Sequence, residues 1–332
     1  MGIARLHHYV PQFYLRRFTD KEGMFWVWDK RRDRVFRTSP KHVAAGSNFY
    51  RLYEFAEVGR DPLTMEKQFS DVEGDVSQIT DEWLDWLHEA KPLEPMNIPK
   101  ANREIVSLYI ALQFCRTADA REIILAIDNL PSMPNMTKEE NDFARWGTWL
   151  WGQWLLDEPM KHDDIQNHKP NSRRRLSDRI ETKIHTRWLW NLDMIDSIAN
   201  RIRDSTWIFG RNLTKYPFIT SDNPVAFHVH VDKTHRWVKV GFLARGAYPV
   251  FPLSPEIVLY CYDNNDPKWK ALGKFDETVS PVDFSESLVQ HDNGGQVFNA
   301  GRYVISPTND FEHVREFAKF AGIESSPQGS YG

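Results

Sequence analysis

Apolar residues recur at helical spacing after Pro62. Met65, Phe69, Val72, Val76, Ile79, Trp83 and Leu84 fall near the 3.6-residue period, which predicts one long helix. Pro92, Pro95 and Pro99 interrupt the chain. The pattern then predicts a second helix over 101–127, with Ile105, Leu108, Leu112 and Cys115 as its buried stripe. A third is expected over 138–157, where Trp146, Trp149, Trp151 and Trp154 crowd together. A fourth is expected over about 174–200, with Leu176, Ile180, Ile184, Trp188 and Met194 along one side.

Strand formers dominate elsewhere. Residues 24–29 and 34–38 flank a polar loop and predict a hairpin. After residue 200, short β-prone runs broken by Gly, Pro, Asn and Asp cover 206–212, 217–231, 235–242 and 247–262. Residues 281–300 predict a helix and 301–307 a strand. Together these predict an α+β fold, a helical bundle portion packed against a mainly antiparallel sheet. The expected organisation is an extended element and hairpin in 1–60, packed on the C-terminal sheet. A helical region in 61–200, a β-rich region with late helices in 201–322 and a flexible tail in 323–332 follow. Interleaving of these parts into one domain is the alternative.

Composition narrows the class. In 332 residues, 41% are hydrophobic and 27% charged, which excludes wholesale disorder. The formal charge of −4 argues against whole-molecule attraction to nucleic acid and leaves room only for a local basic patch. Cys115 and Cys261 both lie in apolar stretches, as reduced buried thiols do. With no signal-peptide pattern at the start and no uncharged segment of the ~18 residues needed to span a bilayer, a soluble cytoplasmic protein is expected, without a membrane partner.

Six groups of residues carry candidate chemistry. His7-His8 supplies adjacent imidazoles, which point to opposite sides of an extended segment and serve as proton acceptors or metal ligands. Thr220-Ser221-Asp222-Asn223-Pro224 sets an acid at a strand end, where it can bind a divalent metal or orient a histidine; a strand–turn cap is the plain structural alternative. Gln113 and Arg116, followed by Arg121, share a helical face and suit a phosphate or carboxylate. Glu66 and Glu73 line one face two helical turns apart, Glu73 at the apolar boundary. His228-x-His230 is a weaker metal candidate, needing Asp232 or His235 as a further ligand. A basic stripe through Arg173, Arg174, Arg175, Arg179, Lys183 and Arg187 either contacts phosphates or forms a solvated helix surface. Phosphate-loop, dinucleotide, HExxH and GxSxG motifs are absent from the sequence.

The run His7-His8-Tyr9-Val10-Pro11-Gln12-Phe13-Tyr14-Leu15-Arg16-Arg17-Phe18 resembles the opening of a mainly microbial family catalogued as domain of unknown function 4238. The resemblance continues through Gln113-Phe114-Cys115-Arg116-Thr117 and Phe218-Ile219-Thr220-Ser221-Asp222-Asn223-Pro224-Val225. It includes Pro252-Leu253-Ser254-Pro255 and Asn299 before Arg302-Tyr303-Val304. It implies no substrate, cofactor or catalytic residue. Within it, His7, His8, Gln113, Arg116 and Asp222 are the characteristic polar positions.

Two functional expectations follow. One is a metal-dependent phosphodiester hydrolase or nuclease acting on a phosphate-containing ligand. There His7 or His8 binds the metal or activates water, and His8, Asp222 and Glu73 form an N/O ligand set for Mn or Mg. Arg116 neutralises phosphate charge and Gln113 positions substrate. The other is a noncatalytic ligand-binding or protein-interaction module, in a microbial conflict system, whose polar residues organise a core network.

Overall fold

A computed structural model describes residues 6–92, 94–127, 179, 181–186, 188–190, 192–231, 234–238, 247–264, 266–267, 269–275 and 281–320. Its first strand, β1 (Leu6–His8), leads through Pro11 into the short helix α1 (Gln12–Arg16). β2 (Phe25–Asp29) and β3 (Arg34–Thr38) form the predicted hairpin, and β4 (Ala45–Ser47) returns antiparallel to β1. Helix α2 (Tyr53–Glu57) precedes the long α3 (Thr64–Glu89), which buries Met65, Phe69, Val76, Trp83 and Leu84 of the predicted stripe. The proline-rich connection ends at Pro99, and α4 (Lys100–Cys115) starts there.

Where one helix was expected over 101–127, the chain breaks at Arg116–Thr117 into α4 and α5 (Ala118–Ile127). The Thr117 hydroxyl accepts the Ala120 N–H at 3.2 Å and starts the second helix. The buried stripe of α4 is also displaced by one residue from the expected one. Cys115 is buried as expected, but Val106, Tyr109, Ile110 and Gln113 are buried where Ile105, Leu108 and Leu112 are only partly covered. The apolar pattern misled because Gln113 is polar yet wholly internal.

Of the fourth expected helix, residues 181–186 are helical and α6 (Leu192–Arg203) follows a turn at Trp190. The expected third helix, with its tryptophans, lies outside the described residues. The strands β5 (Thr206–Asn212), β6 (Thr220–Ser221), β7 (Ala226–Val231), β8 (Thr234–Val238), β9 (Ala247–Pro252) and β10 (Ile257–Tyr262) come next. The segment expected to be helical over 281–300 opens as a strand, β11 (Pro281–Phe284), before helix α7 (Glu286–Asn299). β12 (Tyr303–Ser306) and α8 (Glu312–Phe320) close the fold.

The architecture is α+β. A six-stranded sheet runs β11-β5-β10-β9-β7-β8, antiparallel except for the β11–β5 pair. Alternate residues of its central strands face opposite ways. Ile257, Leu259 and Cys261 join the core shared with α3, α4 and α6, and Val258 and Tyr260 join a second cluster with Val289 of α7. This two-sided burial explains why β10 reads as a continuous apolar run. A four-stranded sheet, β3-β2-β12-β6, joins the N-terminal hairpin to strands from beyond residue 200. It packs on α7 and α8 through Trp28, Val297, Val304, Phe311 and Val314. Gly294 lets α8 pack closely on α7, since a Cβ there would lie 3.0 Å from the Phe317 ring.

Candidate functional site: two buried polar clusters joined by Tyr9

Strand alternation separates the two histidines, as their adjacency predicts. His7 points inward and is fully buried, while His8 is half-buried. His7 Nδ1 accepts the Tyr50 N–H at 2.9 Å, which places its ring proton on Nε2. Glu66 Oε2 lies 4.0 Å from the same nitrogen. His8 Nε2 pairs with the Lys41 carbonyl at 3.2 Å, and burial holds its pKa below the usual imidazole value.

Behind β1, the last turn of α4 presents Gln113 and Arg116 from one face, as their spacing requires. Arg116 Nε and Nη2 donate to Gln113 Oε1 at 3.0 and 2.8 Å, and its Nη1 donates to Glu73 Oε1 at 2.7 Å. Its guanidinium lies over Phe69 and Tyr109. Gln113 Nε2 donates to the Tyr9 carbonyl at 3.0 Å, and the Tyr50 hydroxyl donates to the Arg116 carbonyl at 2.9 Å. Arg116 is only 1% exposed, so this charge is enclosed and answered within the chain. Glu66 is different. It is partly exposed, and burial reinforced by the neighbouring Glu73 charge pushes its carboxyl up to about 7.

Asp222 occupies a second cluster. Its carboxylate accepts the Gly301 and Arg302 N–H groups at 3.0 and 2.9 Å. Burial nevertheless outweighs these bonds and the Lys30 charge, and raises its pKa to about 6. Tyr9 spans the two clusters: its carbonyl takes the Gln113 bond, and its phenol lies within electrostatic reach of Asp222.

The turn around Asp222 is held by an amide ladder. Asn293, Gln296 and Asn299 recur every three residues on α7. Asn293 Oδ1 accepts from Ile219 N at 3.0 Å, Gln296 Nε2 donates to the Pro224 carbonyl at 2.9 Å, and Asn299 Nδ2 donates to the Val225 carbonyl at 3.0 Å. Ser221 donates to Gln296 Oε1 at 3.1 Å. Tyr14 of α1 donates to the Pro252 carbonyl at 2.8 Å and pairs with the Thr220 hydroxyl at 2.7 Å.

The structure thus brings His7, His8, Gln113, Arg116, Glu66 and Glu73 into one neighbourhood and sets Asp222 in the adjoining one. It does not assemble His8, Asp222 and Glu73 as a ligand set. Among the described residues, no group of three His, Cys, Asp or Glu side chains is placed to hold a metal ion. Each member is drawn to a different partner, His8 to Lys41, Glu73 to Arg116 and Asp222 to Gly301 and Arg302.

His228 is buried, with Nδ1 against the Tyr248 hydroxyl at 2.7 Å and Nε2 against His291 Nε2 at 3.2 Å. Asp232 lies outside the described residues. Of the basic stripe, Arg179 pairs with Glu57 and Lys183 with Glu54 on α2, while Arg173, Arg174 and Arg175 lie outside the described residues. Arg121 lies over the Phe49 ring and donates to His185 Nδ1 at 3.2 Å.

Sequence reasoning missed His185, whose pKa burial and the Arg121 charge depress to about 3. It also missed Asp292, pushed up to about 7 by burial beside Tyr260. Both sit within helical segments with no motif around them. The three-residue spacing of Asn293, Gln296 and Asn299 was a usable signal. No helix among the described residues is long and apolar enough to cross a membrane.

These contacts define an α+β protein in which three sequence-distant signature segments are tied together by buried polar networks. The chain matches the family described as protein of unknown function (DUF4238) over residues 6–310, and it belongs to that family. No curated protein and no solved structure matches it.

Proposed function

We propose that the chain is a noncatalytic ligand-binding or protein-interaction module whose signature residues build its frame. The observation that carries this reading is where their polar atoms go. Gln113, Arg116 and Asp222 are buried and direct their hydrogen bonds to the chain itself, to the main chain at Tyr9, Gly301 and Arg302 and to each other and Glu73. A reacting group needs to reach substrate, whereas a buried satisfied network fixes a fold. The test is turnover of bis(p-nitrophenyl) phosphate, single-stranded DNA and RNA by the full chain with Mn²⁺ or Mg²⁺. No turnover above the protein-free rate is expected. Turnover lost in His8→Ala or Asp222→Asn, with the fold retained, would overturn the reading.

One observation favours the metal-dependent phosphodiester hydrolase instead. Glu66 titrates at about 7 beside His7 and Glu73, with the Arg116 charge nearby, as a general acid–base would. The same assay with Glu66→Gln separates the two. On the hydrolase reading, this variant loses metal-dependent turnover.

A further inference from the structure

The hairpin of β2 and β3 is strongly basic in a chain whose formal charge is −4. Residues 30–41 hold six Lys or Arg and one acid, Asp33. That acid is turned to the face that packs on α8, where it accepts the Trp28 Nε1–H at 3.0 Å and pairs with Arg315 at 3.1 Å. The other face of this edge is different. Tyr303, Asp29 and Arg34 stand abreast on β12, β2 and β3. Asp29 is fully buried, and Arg302 holds both its oxygens. The acid opposite Arg34 is therefore already engaged.

Guanidinium groups and aromatic rings interleave across this face. Arg34 lies 5.2 Å from the centre of the Phe36 ring and Arg302 4.6 Å from that of Tyr303, and the two rings meet edge to face at 6.4 Å. Arg32, at the hairpin turn, is within electrostatic reach of Tyr303, and Arg31 beside it reaches Glu122 of α5 at 3.6 Å. Arg31, Arg32 and Arg34 are exposed, while Phe36, Arg302 and Tyr303 are half-buried. Among the described residues, Arg32 and Arg34 form no ion pair. β3 is the outer strand of its sheet, which leaves their charges at an open edge. Charge alone would suit any polyanion. The half-exposed rings add faces on which bases stack, and a single strand offers its bases where a duplex keeps them stacked on each other.

We propose that this edge binds single-stranded nucleic acid, with Arg32 and Arg34 on its phosphates and Phe36 and Tyr303 against its bases. Arg302, fixed by Asp29, positions the Tyr303 ring. This inference rests on reading the chain as a binding module and names the ligand.

The test is fluorescence anisotropy of the full chain with labelled oligodeoxyadenylate and oligoriboadenylate of about twelve residues, in EDTA to prevent metal-dependent cleavage. An abasic strand of equal length and charge is the control. Saturable binding of either adenylate is expected, with a Kd of about 1–100 µM, and log K should fall against log salt with a slope of about −1.4, as two phosphate contacts require. The abasic strand should bind about tenfold weaker or more. Arg34→Gln should weaken binding about fivefold at about 0.1 M salt and halve the slope. Arg37→Gln removes the same charge from the opposite face, beside Asp20 and Glu22, and should change binding less than about twofold. The proposal is overturned if neither adenylate binds saturably up to about 300 µM chain. It is equally overturned if the abasic strand matches the adenylates, as a general polyanion surface would have it, or if Arg37→Gln weakens binding as much as Arg34→Gln. Phosphodiester turnover on adding Mn²⁺ would sink the underlying reading while leaving the EDTA titration as it is, so the two failures are distinguishable.

Discussion

Replacing Asp222 with Asn removes a buried titratable group while keeping its shape. In the folded chain this carboxyl titrates at about 6 rather than 3.8, because burial disfavours its charge more than the Gly301 and Arg302 N–H groups and Lys30 restore it. The folded state therefore holds the proton more tightly than the unfolded state. The stability this supplies is complete below about pH 4 and declines as the pH rises towards 6, where it is gone. A difference of roughly two pKa units corresponds to about 3 kcal/mol, and at 5% exposure little is lost to solvent screening. Asn does not titrate. It offers one acceptor to two N–H donors, a defect costing about 1–3 kcal/mol at every pH. Stability relative to the parent should thus shift in favour of Asp222→Asn by about 3 kcal/mol between pH 4 and pH 8. Urea unfolding followed by tryptophan fluorescence reads this directly. A difference that stays constant with pH, or moves the other way, refutes the assignment of Asp222 as a buried acid with a raised pKa.

Three further outcomes follow from the same network. Glu73→Gln leaves the enclosed Arg116 charge with only neutral hydrogen-bond partners and should cost about 3 kcal/mol in denaturant unfolding; a loss under about 1 kcal/mol contradicts the enclosed pair. Asn299→Ala removes a donor to the Val225 carbonyl and should lower stability by about 2 kcal/mol, with an unchanged melting temperature counting against the α7 ladder. Glu66→Gln should flatten the parent's loss of stability as pH rises from about 4.5 to 7, by less than about 2 kcal/mol because the side chain is one-third exposed. A parent profile already flat across that window contradicts the raised Glu66 pKa.

The α3 stripe was legible because one face of that helix is simply apolar, so period and burial coincide. The α4 face was not. Its interior is shared by Tyr109 and Gln113, and a polar residue wholly inside a core defeats a hydrophobicity pattern. The 281–300 segment failed for a related reason: β11 is an edge strand of only four residues, too short for its period to compete with the helix that follows. At the site, the opposite faces of His7 and His8 and the shared face of Gln113 and Arg116 followed from local geometry. What they touch did not. Gln113 meets Tyr9 and Arg116 meets Glu73 across 104 and 43 residues of sequence, and tertiary packing alone sets such distances. The strand–turn cap envisaged around Asp222 proved larger than the local sequence implied, since its clamps come from α7.

The central claim is that the signature side chains hold the fold together rather than react. Groups retained for chemistry tend to be neutral or destabilising to the fold, so removing them leaves stability unchanged or raises it. Groups that tie a frame do the reverse. The most direct measurement is the unfolding free energy of Arg116→Met, which keeps an apolar stem and removes the guanidinium that lies over Phe69 and donates to Gln113 and Glu73. The account predicts a loss of about 3–5 kcal/mol. A variant as stable as the parent, or more stable, would contradict it.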